Sequence, residues 1–237
     1  IGLSDGSHTA DVKAVDGAGN SATDTVSFTV DTTSPTVSID SPSEDANISS
    51  TDVMVEWSGN DDGSGIDHYE VQLDSGGWTD VGTDTSHTFT GLSDGSHTAD
   101  VKAVDNFNYT NTDTVSFIVD TISPTVSIDS PSEDANISSS DVTIEWSGND
   151  DGSGIDHYEV QLDSGGWIEV GADTSHTFTG LSDGSHTVNV KAVDNASNSA
   201  TDTVNFTVDT TSPTVTIDSP LEDANISSTD VMVEWSG

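Results

Sequence analysis

The sequence predicts an all-β chain of tandem seven-stranded β-sandwiches. Three observations predict it: a repeat of 89 residues, period-two alternation of apolar residues inside each repeat, and turn signals between the alternating runs. GLSDGSHT begins at Gly2, Gly91 and Gly180, and SPTV begins at Ser34, Ser123 and Ser212. Trp57, Trp146 and Trp235 fall in the same frame. Between 32–120 and 121–209, 16 of 89 aligned positions differ. Self-similarity at a fixed period marks stacked structural units. The chain therefore divides into 1–31 (the C-terminal part of a repeat), two whole repeats at 32–120 and 121–209, and 210–237 (the N-terminal part of another). It reads as a window from a longer polypeptide, expected to belong to an assembled fibre. A strand donated between subunits is the rarer alternative.

Each strand can be justified in turn from the repeat 32–120. Val37 and Ile39 alternate with Thr36 and Ser38; Val53, Val55 and Trp57 alternate with Met54 and Glu56. Tyr69, Val71 and Leu73 alternate with Glu70 and Gln72, and a short strand is expected near 78–82. Phe89 and Leu92 bracket a turn before His97, Ala99, Val101 and Ala103; Val115, Phe117 and Val119 close the repeat. Such alternation places one set of side chains inward and the other in solvent. SPSEDAN, GNDDGSG, DSGG, GLSDGS and 105–113 read as turns or loops. No helical stripe occurs. Trp57 and Trp146 are expected in the core, and His8, His97 and His186 on inward positions that need a hydrogen bond.

Charge narrows the function. The chain carries 43 Asp and Glu against 3 Lys and no Arg, a formal charge of −40. Phosphate binding needs Lys and Arg, which removes nucleic acid and anionic membrane surfaces as partners. A compact chain this acidic repels itself, so salt or divalent cations are expected to screen or bind it. There is no cysteine, hence no disulfide framework and no thiolate site. No apolar run is long enough to span a membrane.

The motifs W-S-x-N-D-x-x-S-G-I-x-x-Y-x-V-x-L-D-x-G-x-W, G-L-x-D-G-x-H-T-x-x-V-K-A-V-D-x-A-x-N and D-T-T-S-P-T-V carry a resemblance. The chain resembles, over its whole length, the bacterial and archaeal Ig-like repeats of large cell-surface proteins and adhesins, relatives of fibronectin type III domains. The resemblance implies tandem seven-stranded immunoglobulin-like β-sandwiches in an extracellular, cell-surface protein: a stalk, adhesin, filament subunit or spacer, often calcium-stiffened. Two features depart from it. His8, His97 and His186 stand where the family usually has an aromatic residue, and AVDNFNY (103–109) replaces AVDxAxN, removing a candidate ligand at its last position.

In a sandwich of this type the loop after the second strand, the loop before the last strand and the incoming linker meet at one pole. That collects Asp31, Asp61, Asp62, Asp105 and Asn106 at one junction, and Asp120, Asp150, Asp151, Asp194 and Asn195 at the next. Glu44, Asp45 and Asp94 add acids at the opposite pole. Ca2+ takes six to eight oxygens, mixing carboxylates with carbonyls on flexible loops. The competing reading is that these acids are solvated faces of a protein adapted to salt, with no ordered metal. NDDGSG does not fit the EF-hand frame. Glycosylation sequons stand at Asn47, Asn108, Asn136, Asn195, Asn205 and Asn225, against a reading of chance matches in polar loops.

Nothing points to catalysis. No His pair has zincin spacing, and a small sandwich rarely offers the cleft that paired carboxylates need. Trp78 and Trp167 fit edge-strand packing better than sugar platforms. The expected function is structural: a rod or filament segment whose partners are neighbouring repeats and other copies, with a glycan or cell-surface ligand at an unseen tip. A glycan- or polymer-binding module and a passive spacer of a secreted hydrolase are the rivals.

Overall fold

The computed structural model describes residues 2–237, and all regular structure among them is β-strand. The chain divides into two compact units. One runs to Thr125 and includes 149–156 and 193–200; the other holds 126–148, 157–192 and 201–237.

In chain order the strands are β1 (Gly6–Val15), β2 (Ser21–Val30), β3 (Thr36–Ser41), β4 (Ala46–Ile48), β5 (Val53–Asn60), β6 (Ile66–Leu73) and β7 (Thr79–Gly82). Then come β8 (Ser86–Phe89), β9 (Gly95–Asp105), β10 (Thr110–Val119), β11 (Thr125–Ser130), β12 (Ala135–Ile137) and β13 (Val142–Asn149). The rest are β14 (Ile155–Leu162), β15 (Ile168–Gly171), β16 (Ser175–Phe178), β17 (Gly184–Asp194), β18 (Ser199–Val208), β19 (Thr216–Ser219) and β20 (Glu234–Ser236).

Residues 36–119 build two sheets, ordered β3-β5-β8 and β4-β10-β9-β6-β7. Registers follow the alternation. Ile39 opposes Trp57, Val71 opposes Val101, and His97 opposes Phe117. The inner faces bury Val53, Val55, Trp57, Tyr69, Val71, Ala99, Val101, Ala103, Val115, Phe117 and Val119. Trp57 meets Tyr69 edge-on, with ring centroids 5.7 Å apart, a favoured aromatic geometry. The sheets β11-β13-β16 and β12-β18-β17-β14-β15 repeat this order. Their core includes Ile144, Trp146, Tyr158, Val160, Val188, Val190 and Phe206. β1 pairs with β2, and β19 with β20.

Two details differ from the sequence reading. The SPSEDAN segment is not only a turn. Pro42 cannot donate to a ladder, β3 ends before it, and the chain crosses to the other sheet. There Ala46–Ile48 run parallel to Phe117–Val119 as β4, an eighth, short strand of the repeat. The expected loop 105–113 contracts to a turn over 106–109, because Asp105 and Thr110 already belong to β9 and β10.

His97 and His186 lie on inward positions and are buried. The Nε2–H of His97 donates to the Ser93 carbonyl at 2.8 Å, and its Nδ1–H to Asp74 Oδ2 at 2.7 Å. His186 does the same with Ser182 and Asp163. Carbonyl and carboxylate are both acceptors, so only the doubly protonated ring satisfies both. Burial pulls the His97 pKa down, but the bonds to Ser93 and Asp74 outweigh it and the net shift is up. His186 also rises, through its bonds to Ser182 and Asp163.

Candidate metal centre

Four Asp residues are buried in the described chain: Asp31, Asp105, Asp120 and Asp194. All four stand either in the DTTSP/DTISP linkers or where β9 or β17 ends. Local chemistry explains their placement. Asp105 Oδ1 accepts the amides of Phe107 and Tyr109 at 2.8 and 2.9 Å, the turn-forming use of a short acid. Asp31 Oδ1 likewise accepts Thr33 N–H, and its Oδ2 reaches 33 residues ahead to accept Ser64 N–H at 2.9 Å. Asp61 Oδ2 accepts Gly65 N–H within the β5–β6 loop.

Gly63 makes this seat possible. A Cβ there would stand 2.4 Å from Asp31 Oδ1, and one on Gly152 2.5 Å from Asp120 Cγ. Only glycine lets the linker carboxylate lie against the loop backbone.

The result is a triad. Asp31, Asp61 and Asp105 each bring one carboxylate oxygen within 4.8 Å of the other two, as do Asp120, Asp150 and Asp194. Ca–O bonds of about 2.4 Å put opposite ligands about 4.8 Å apart, so one cation spans such a group. Without one, each pair of charges at that distance repels by roughly 3 kcal/mol at an effective dielectric of about 20. Hydrogen bonding from Ser64 is the largest influence on Asp31 and holds its carboxyl below the usual range. The Ser64 amide, which donates to Asp31 Oδ2 at 2.9 Å, adds to this lowering. Desolvation works to raise Asp120, but bonds from Ser153 and Ile122 outweigh it and its carboxyl is also lowered.

One polar atom of the first triad is orphaned. Asp105 is 1% exposed, and its Oδ2 is buried without a hydrogen-bond partner. Asp105 also offers one carboxylate oxygen within 4.8 Å of those of Asp31 and Asp61, an arrangement that could hold a hard cation.

The other expected ligands go elsewhere. Asp62 and Asp151 are exposed and accept from Asn60 and Asn149 at 2.9 and 2.8 Å. Asn106 Nδ2 donates to the carbonyls of Ser64 and Gly65, and Asn195 Nδ2 to those of Ser153 and Gly154, so both amides clamp the loop. Sequence reasoning did not single out Ser64, Ser153 or Gly63. Their signal was the run of small residues after NDD, which lets a carboxylate approach the backbone.

The linker Asp120–Ile122 is held from several directions. Asp94 Oδ1 accepts Thr121 N–H at 2.9 Å, Asp120 Oδ2 accepts Ser153 N–H at 2.7 Å, and Asn198 Nδ2 donates to the Asp120 carbonyl at 2.8 Å.

Among the sequons, Asn108, Asn136, Asn195, Asn205 and Asn225 are exposed and Asn47 is half-buried. Asn108 tops the 106–109 turn at φ 66°, whereas Asn205 donates to Glu133. Trp78 and Trp167 are partly exposed, and the Lys102 and Lys191 ammonium groups stand 4.2 and 5.0 Å from their ring centroids.

Residues 35–101 and 124–190 match the family model described as bacterial Ig domain. Residues 172–234 match one described as bacterial Ig-like domain (group 3). Over 107 residues, 44% of the chain, the sequence is 38% identical to halomucin of Haloquadratum walsbyi; the chain spans about 1% of that relative's length. Among solved structures, fibronectin(III)-like modules of Clostridium thermocellum CbhA superpose with a TM-score of 0.50 at 19% identity, over 73% of this chain and 94% of that one. A tetra-tandem repeat from the extending region of a large adhesion protein is 24% identical over 92% of this chain and 61% of that one, with a TM-score of 0.29.

Proposed function

The chain belongs to the bacterial Ig domain family, and we propose that it is a structural segment of an extracellular surface protein, a stalk, adhesin or fibre, in which divalent cations bound at acidic triads stiffen the linkers. The observation that carries this reading is the burial of linker acids in the loops of the repeat that follows: Asp31 on Ser64, and Asp120 on Ser153. A linker meant to swing freely would leave those carboxylates in water. Asp31, Asp61 and Asp105 would hold the cation, and the orphaned Asp105 Oδ2 is the atom that fits it. Bound there, the ion would offset two of the three negative charges and cross-link linker, loop and turn.

Neighbouring repeats and other copies of the same protein are the proposed partners. The likeness to halomucin supports a surface location. The segment is read as non-catalytic, in keeping with its family. The binding-module reading is disfavoured, because Lys102 and Lys191 lie over the Trp78 and Trp167 faces that a sugar would stack on.

The test compares calcium with sodium at matched ionic strength. A cation bound only by the folded form at a hundred times its Kd adds about 2.7 kcal/mol. Calcium should therefore raise the melting temperature and protect the 32–35 linker from proteases. Equal effects of sodium would mean that the acids are merely screened.

A further inference from the structure

We infer that the two acidic triads are not equivalent: Asp31, Asp61 and Asp105 take a divalent cation, whereas at Asp120, Asp150 and Asp194 the side-chain amide of Asn198 stands in the cation's place. This rests on the cation reading above and adds which site is the ion's.

Three copies of one turn carry the argument. Asp16, Asp105 and Asp194 occupy matching positions, and the residues four places later are Asn20, Tyr109 and Asn198. The main chain behaves alike in all three. The amide of that later residue donates to Oδ1 of the Asp at 2.8, 2.9 and 2.8 Å. The side chains do not. Asn20 Nδ2 donates to Asp16 Oδ2 at 2.8 Å, and Asn198 Nδ2 to Asp194 Oδ2 at 2.9 Å. Tyr109 has no amide to give, and its side chain turns outward, 43% exposed. Asp105 Oδ2 is left buried and unpartnered, whereas its counterpart Asp194 Oδ2 is not.

Buried polar atoms are nearly always satisfied. In the second triad the positive end of an amide dipole does this, and the same Nδ2 also donates to the Asp120 carbonyl. Asn198 Nδ2 thus serves one carboxylate oxygen of the triad and the main chain beside it. In the first triad no side-chain amide competes: Tyr109 has none, Asp105 Oδ2 is unpartnered, and Asp105, Asp61 and Asp31 each offer one carboxylate oxygen within cation-ligand range.

The experiment uses the full 237-residue chain, stripped with chelator and titrated with calcium by calorimetry and equilibrium dialysis. Excess sodium chloride screens the exposed acids. The native chain should bind one calcium tightly. Tyr109→Asn should bind none; it places at this turn the residue that the repeat 121–209 already carries, so folding is preserved. Asn198→Ala should bind two. Two calcium ions on the native chain, an unchanged count in Tyr109→Asn, or no second ion in Asn198→Ala would each overturn the inference while leaving cation-stiffened linkers standing. No calcium on the native chain would overturn both.

Discussion

Asp105→Asn should change stability in opposite directions with and without calcium. Asparagine keeps the Oδ1 acceptor for the Phe107 and Tyr109 amides and replaces the orphaned Oδ2 by an N–H donor. Without metal, two repulsions disappear, with Asp31 and with Asp61. Each is worth roughly 3 kcal/mol at 4.8 Å before screening. Asp61 is only half-buried, Asp31 is already stabilised by Ser64, and a neutral acceptor weakens two turn bonds. The net gain in chelator should be about 1–2 kcal/mol. In saturating calcium the native chain gains about 2.7 kcal/mol that the variant forgoes, so the variant becomes the less stable of the two. The assay is urea unfolding followed by Trp57 and Trp146 fluorescence, in chelator and in calcium at equal ionic strength. Equal destabilisation in both buffers would refute the reasoning and leave Asp105 as a turn acceptor alone.

Other outcomes follow from the same geometry. His97 and His186 are raised, so their contribution is complete below the ordinary imidazole value of about 6.5 and is lost as pH rises through the folded value. Asp74 and Asp163 are lowered, so theirs is present above the ordinary carboxylate value and is lost as pH falls through the folded one. Denaturation across pH should show the alkaline loss, and His97→Gln with His186→Gln should abolish it; an unchanged profile would refute the ion pairs. Gly63→Ala should cost about 1–3 kcal/mol and unseat Asp31, seen as faster proteolysis at 32–35, whereas Gly91→Ala should leave that linker protected. Trp57→Ala should cost about 3–5 kcal/mol, read in thermal melts, and a loss under 1 kcal/mol would contradict its burial.

Much of this was legible because burial and period are the same fact in a strand. Val53, Val55 and Trp57 alternate in the sequence and alternate in exposure. The crossing at Pro42 was less legible, since three residues of parallel pairing leave no period to read. The acidic junctions were found by their loops, but not atom by atom. Asp61 and Asp62 are chemically identical neighbours, and the backbone of a glycine-rich loop decides which one turns inward. That choice depends on Gly65 N–H reaching back to Asp61, a contact that spacing alone does not reveal. Asn106 looked like a ligand because it follows Asp105, yet its amide is spent on two carbonyls. The departure at Tyr109 was visible as a missing ligand, but the oxygen it leaves unpaired was not.

Adaptation to salt and binding of a cation make different demands on an acid. A surface acid that gathers hydrated ions must stay in water, and most of the 43 acids do. Outward strand positions such as Asp11 and Glu56 fit that role. Removing a carboxylate from water costs several kcal/mol unless something compensates, so a demand for surface charge never selects burial. Asp31, Asp105, Asp120 and Asp194 are buried and therefore need a separate cause. Main-chain amides supply most of it, and at Asp194 the amide of Asn198 supplies the rest. The remaining oxygen, on Asp105, has no donor among the described residues to account for its burial. On the proposed reading, its partner is an ion small enough to sit among three carboxylates. That reading separates the two acid populations experimentally: monovalent salt should act on the exposed ones in proportion to ionic strength, and a divalent ion should act on the buried triad at a fixed stoichiometry.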